Sequence, residues 1–116
     1  MEEKEAYEKR IVAESIDGIY IPKNLEECFL ELNKLLKPKH IKEIKNLKYK
    51  VEVIIYHQEL GRWMRNNWGL WEGSRLKQHL VEKGLGIPDN MSQIILEFYY
   101  DWLNGRNEEW KEFEKE

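Results

Sequence analysis

LGRWMRNNWGLWEGSRL, residues 60–76, holds three of the chain's five tryptophans (Trp63, Trp68, Trp71), three arginines (Arg62, Arg65, Arg75), the pair Asn66–Asn67 and three glycines (Gly61, Gly69, Gly73). Indoles bring large apolar surface, and guanidinium groups bring rigid forks of donors. An ordinary solvated loop needs neither. The stretch reads as the end of one helix, a folded aromatic turn and the start of another helix, with Ser74 as the N-cap of the second. Ser74 stands in Gly-Ser-Arg, not in the Gly-x-Ser-x-Gly elbow of a hydrolase, and a capping hydroxyl is already committed to backbone amides.

Just upstream, residues 48–56 are ambiguous. KYKVEV alternates polar and apolar residues, and Val51, Val53, Ile54 and Ile55 are β-branched, which favours a strand. No turn signal separates this run from Leu60, however, and Val53, Tyr56/His57, Leu60 and Trp63/Met64 continue at helical spacing. A helix over 51–67 is the reading adopted. Gly61 inside it costs about 1 kcal/mol relative to alanine, which makes sense if another backbone or an indole approaches closely there.

Farther upstream, Asn24 and Glu27 form a capping pattern ahead of one apolar stripe, Leu25, Cys28, Phe29, Leu32, Leu35 and Leu36. Cys28 lies on that stripe as a small core residue. Pro38 opens a short helix with Ile41 and Ile44 inward and lysines outward. Residues 2–14 form a weakly apolar helix that Asp17–Gly18 ends, and Ile19–Ile21 is extended before Pro22.

Downstream, the helix from Arg75 to Lys83 turns Leu76, Leu80 and Val81 inward and stops at Gly84. The last strong helix begins at Asp89 or Asn90, buries Met91, Ile94, Ile95, Phe98, Trp102 and Leu103, and stops at Asn104–Gly105. In the tail NEEWKEFEKE, Trp110 and Phe113 stand among charges, as a docked helix or as a stub for a partner. The elements add up to an all-α single-domain bundle of about five to six helices. Residues 1–20 form an N-terminal helix or arm, 21–105 the helical core, and 106–116 a charged tail. The alternative is an α+β domain with a short two-stranded hairpin near residues 19–21 and 49–55.

A chain of 116 residues with 41% hydrophobic content can bury a core without staples. Its single cysteine excludes an internal disulfide, and no apolar run nears the ~20 residues of a membrane span. The polar, acidic N-terminus lacks the pattern of a signal peptide, so a cytoplasmic location is expected. Net charge is −3, unevenly spread: residues 34–83 hold twelve Lys/Arg against five Asp/Glu, and the rest seven against seventeen. Such a basic middle either decorates helix faces or meets an anionic partner.

Little points to catalysis. His40, His57 and His79 show no i, i+4 pair and no CxxC or HExxH accompanies them, so no metal or other cofactor is expected. His57 reads as a hydrogen-bonded core histidine. No glycine-rich phosphate loop is present, and no catalytic residue is assigned. What remains is recognition. Arg62, Arg65, Asn66, Asn67, Trp68, Trp71, Ser74 and Arg75 could surround a carboxylate, a phosphate or an acidic partner side chain. Equally, the tryptophans could be core, with the arginines stacking on them or capping carbonyls.

IPKNLE (21–26), RNNWGLWEGSRL (65–76) and PDNMSQIIL with the following Y-x-x-x-LNG (88–105) carry a resemblance. In this order they resemble the motifs of a family of small bacterial proteins of unknown function. The resemblance spans roughly residues 21–105 and implies a bacterial source and a mostly helical domain, with no assigned activity. Gln58–Glu59 and Asn90 depart from the family pattern, which favours Phe-Gly and Asp there, and residues 1–20 lie outside it. By analogy with small acidic bacterial domains, the leading expectation is a non-catalytic protein-binding module of the immunity or inhibitor type, with a toxin or effector as partner. The alternatives are a small anionic-ligand site or enzyme at residues 62–75 and, more weakly, nucleic-acid binding through the basic 34–50 segment.

Overall fold

The computed structural model describes residues 2–106 and 108–115. Met1, Asn107 and Glu116, which the expected N-terminal arm and charged tail include, lie outside the described residues. The fold is all-α with one small hairpin. Helix α1 (Glu2–Arg10) leads into strands β1 (Ser15–Ile16) and β2 (Ile19–Tyr20), followed by α2 (Leu25–Leu35) and α3 (Pro38–Lys45). An irregular helix α4 spans 50–67, and α5 (Arg75–Glu82), α6 (Pro88–Asn104) and α7 (Glu109–Glu114) complete the chain. That makes seven helices among the described residues, one more than the upper expectation, because the tail forms α7.

Helix α6 is the axis. Its buried residues include Met91, Ile95, Leu96, Tyr99 and Tyr100, and α2 lays Leu25, Cys28, Phe29 and Leu32 on the same core. Asn24 Oδ1 accepts the Glu27 amide at 2.9 Å, so the N-cap forms as the residue types require. The reciprocal bond differs from a capping box: Glu27 Oε1 accepts from Lys23 N–H at 3.0 Å, one residue earlier. Burial pushes the Cys28 thiol well above its ordinary pKa, so it is a packing residue and not a thiolate. No helix among the described residues is long and apolar enough to cross a membrane.

The hairpin alternative needs correction. Strand β1 pairs with β2, Ser15 opposite Tyr20 and Ile16 opposite Ile19, around Asp17–Gly18. Residues 49–55 take no part. Lys50–Val53 is a 3₁₀ turn, Ile54–Tyr56 is α-helical, His57–Gly61 is π-helical and Arg62–Asn67 returns to α. Local bonds close the first turn: Tyr49 N–H donates to Glu52 Oε1 at 2.7 Å. Lys50 Nζ then sits 2.7 Å from Oδ2 of Asp101, a fully buried carboxylate on α6. The contact is ionic, since neither carboxylate oxygen gains an aligned hydrogen bond among the described residues. Val53 enters the core between these anchors. Val51, Ile54 and Ile55 do not, at 67%, 60% and 66% exposure. The β-branched pattern thus reflects outward display on a helix, not a strand's alternation.

The C-terminal segment docks. Trp110, only 9% exposed, meets Phe29 edge-on at 5.5 Å, and Phe113 lies 5.6 Å from Phe98. Glu114 accepts the Leu25 amide at 3.0 Å and lies 2.7 Å from His79 Nε2. Burial pulls the Glu114 carboxyl upward in pKa, but the bonds from His79 and Leu25, with the His79 and Lys83 charges, outweigh it and leave the group below its ordinary value. Trp110 and Phe113 are therefore packing residues.

Candidate functional site

The turn at 60–76 is built as a closed junction. Its helix ends in a Schellman arrangement, with Gly69 at φ +67° and Leu70 N–H donating to Arg65 O at 3.1 Å. A Cβ on Gly69 would lie 2.7 Å from Gly73 O, so only glycine fits. Trp68 is buried, with Trp63 edge-on to it at 5.7 Å. Trp71 is 54% exposed and stands apart.

The polar residues of this stretch mostly serve the fold. Ser74 Oγ accepts the Lys77 amide at 3.1 Å, as an N-cap does, and donates to Trp68 O at 2.6 Å. Asn67 Nδ2 donates to Trp63 O at 2.9 Å. Arg75 donates through Nε and Nη2 to Ile21 O at 2.9 and 2.7 Å, and its guanidinium lies 5.2 Å over the Tyr20 ring. Beside it, burial raises the Glu27 carboxyl, yet the Lys23 amide, the Tyr20 hydroxyl and the Lys23 and Arg75 charges bring it below its ordinary pKa. A cavity of about 480 Å³ opens here, lined by Tyr20, Glu27, Leu30, Glu31 and Lys34. Two carboxylates at its wall repel an anion that would otherwise seek Arg75. Arg62 and Asn66 are exposed.

Arg65 completes a network that sequence reasoning missed. Its Nε lies 3.2 Å from Asp89 Oδ1, and its Nη1 donates to Ser92 Oγ at 2.8 Å. His57 Nε2 is 2.7 Å from the same hydroxyl, so His57 is hydrogen-bonded as expected. A Cβ on Gly61 would sit 2.6 Å from His57 Cδ2 and 2.9 Å from Arg65 Nη1. The close approach that Gly61 permits is thus to an imidazole and a guanidinium, not to a backbone or an indole. The Ser92–His57 separation is that of a nucleophile and its base. Ser92 is nevertheless fully buried inside α6, its Oγ also within 3.1 Å of Asp89 O, and it belongs to neither cavity described here. Among the described residues no three His, Cys, Asp or Glu side chains converge as metal ligands would.

The open apolar surface lies on the other side of Trp63. Leu35, Leu36 and His40, from the α2–α3 corner, face Ile55, Tyr56, Glu59, Leu60 and Trp63 of α4 across a groove of about 440 Å³. Leu35 is half exposed and Ile55 lines the groove at 66% exposure; Val51, at helical spacing from it, and the adjacent Ile54 are exposed as well. Grouped exposed apolar residues beside a groove single it out as the candidate contact surface, as singly scattered ones do not. The signal for it was in the sequence: Leu35 and Leu36 side by side at the end of a stripe, and three β-branched residues out of phase with the core.

Residues 21–103 match the family model of a domain of unknown function, DUF6794. No curated protein and no solved structure matches the chain.

Proposed function

The chain belongs to the DUF6794 family, and we propose that it is a non-catalytic protein-binding module, of the immunity or inhibitor type, that holds a toxin or effector through the groove between α2–α3 and α4. One observation carries this reading: the exposed Ile55 of α4 and the half-exposed Leu35 of α2 line a groove that offers only His40 and Glu59 as ionisable groups besides the Tyr56 phenol. His40 Nδ1 is already 3.0 Å from Glu43 Oε1. A surface of that composition suits a protein's apolar side chains better than a reacting polar substrate.

The test uses wild type, Ile55→Glu and Arg62→Ala as baits in cells of the source organism. A partner retained by wild type and Arg62→Ala but lost with Ile55→Glu is the expected result. Co-expression with that partner should then relieve whatever growth inhibition the partner causes. Retention of the same proteins by Ile55→Glu would reject the groove.

A further inference from the structure

The chemistry of the groove narrows its occupant, and the narrowing rests on the groove being the contact surface proposed above. The α4 wall is helical, with its backbone groups largely paired along the helix, and at the α2–α3 corner the Leu36 amide is taken by Leu32 O at 2.9 Å. The described sheet consists of two strands of two residues each, and none of them lines the groove. An extended peptide would find no strand edge to join, and its own amides would enter an apolar cleft unpaired. A helical segment brings its amides already satisfied. It also presents apolar side chains at i, i+3 and i+4, the spacing on which ridges pack into a groove between helices.

Charge supplies the second constraint. Residues 34–50 contain seven lysines and one glutamate, Glu43. Glu43 is engaged by His40, Lys34 by Glu31 at 3.1 Å, and Lys50 by Asp101. Lys37, Lys39, Lys42 and Lys45 are exposed and have no ion-pair partner among the described residues. Lys37 and Lys39 belong to the corner that carries Leu36 and His40 into the groove. We propose that the groove receives an amphipathic α-helix of a protein partner, its apolar face on Leu35, Ile55 and Leu60 and a row of carboxylates toward Lys37 and Lys39. A second copy of this chain is a poor occupant. Two-fold pairing on this face would bring the lysines of both copies together, and the acidic helix α1 offers only Ala6 and Tyr7 as apolar residues, with the Tyr7 hydroxyl accepting a bond from Gln78 at 3.0 Å.

The deciding experiment places a photo-crosslinking benzoylphenylalanine at Ile55, with Val81 on α5 as the control position, in the full chain inside cells of the source organism. Cross-linked segments are mapped by mass spectrometry, synthesised, and measured by circular dichroism and fluorescence anisotropy. Circular dichroism of each variant confirms its fold. The expected segment is net acidic, has apolar residues at helical spacing, and gains helicity on binding. Lys37→Glu/Lys39→Glu should weaken it about tenfold at low salt, with the gap closing as salt rises. A basic segment, one that binds without helicity, or a cross-link to a second copy overturns the acidic-helix inference and leaves the groove as the contact surface. Nucleic acid at Ile55, or no cross-link above the Val81 control, overturns both.

Discussion

Two neighbouring regions share Leu60 and Trp63 and differ in most other respects. The turn at 60–76 is crowded with donors, acceptors and indoles, and apart from the exposed Arg62, Asn66 and Trp71 they are spent on the fold: Arg75 on Ile21 O, Arg65 on Ser92 and Asp89, Ser74 on Lys77 and Trp68. The groove beside it has few polar groups, and its lining residue Ile55 is exposed, as is Ile54 next to it in the chain. Density of chemically versatile side chains therefore marks where the chain has a difficult junction to hold. Apolar residues that the core does not take are, on the function proposed above, where a partner is to be held.

That contrast can be broken at its strongest point by replacing tryptophans. Trp68→Ala should lose about 3–5 kcal/mol in urea unfolding, the range for a buried aromatic. Trp71→Ala should stay within about 0.5 kcal/mol, as an exposed position does. Equal losses would mean that the turn is not divided as described. Next in size, Lys50→Ala strands the buried Asp101 carboxylate and should cost about 3 kcal/mol, the low end for a broken buried pair because Lys50 keeps some solvent. Unchanged stability would show that the start of α4 is held by other contacts.

Arg75→Ala leaves the carbonyl of buried Ile21 without its two donors and should cost about 1–3 kcal/mol. A neutral Arg75→Ala would instead return this guanidinium to the category of groups available for a ligand. A smaller effect belongs to pH. The Glu114 carboxyl is held below its ordinary value in the fold, so its contribution is present above the unfolded carboxylate pKa of about 4.3 and fades as pH falls through the lower folded value. Trp110 fluorescence should report loosening of α7 in that acid window, and Glu114→Gln should remove this part of the pH dependence. Smallest on stability is the pair Ile54→Asp and Ile55→Asp, within about 0.5 kcal/mol by thermal unfolding, while partner binding disappears. A large loss of stability would place those isoleucines in the core and erase the contrast.

What was legible in the sequence followed how local each interaction is. Asn24 and Ser74 cap their helices because a side-chain oxygen reaches an amide three residues on, a relation that neighbours alone determine. Asn104–Gly105 ends α6 for the same kind of reason, with Gly105 in the left-handed region. Arg75 could not be assigned, since its acceptor on Ile21 is 54 residues away. Trp110 looked available among its charges, and only the position of Phe29 shows that it is covered. Over residues 49–55 the adopted helix forms, and only the strand alternative fails, because the exposed apolar residues there carry no information about the core period.

The wide π turn at His57–Gly61 has a consequence for how this surface can change. The inward line of α4 runs Val53, His57, Gly61, Met64, Trp68, with steps of four, four, three and four residues. An ideal α-helix advances about 100° per residue and would drift off that line; the slack turn takes up the difference. Inserting one residue within it would rotate the preceding segment by about that angle and offer Ile54 to the slot Val53 fills. Which isoleucines the molecule shows to the outside is thus a matter of phase, adjustable by a single codon.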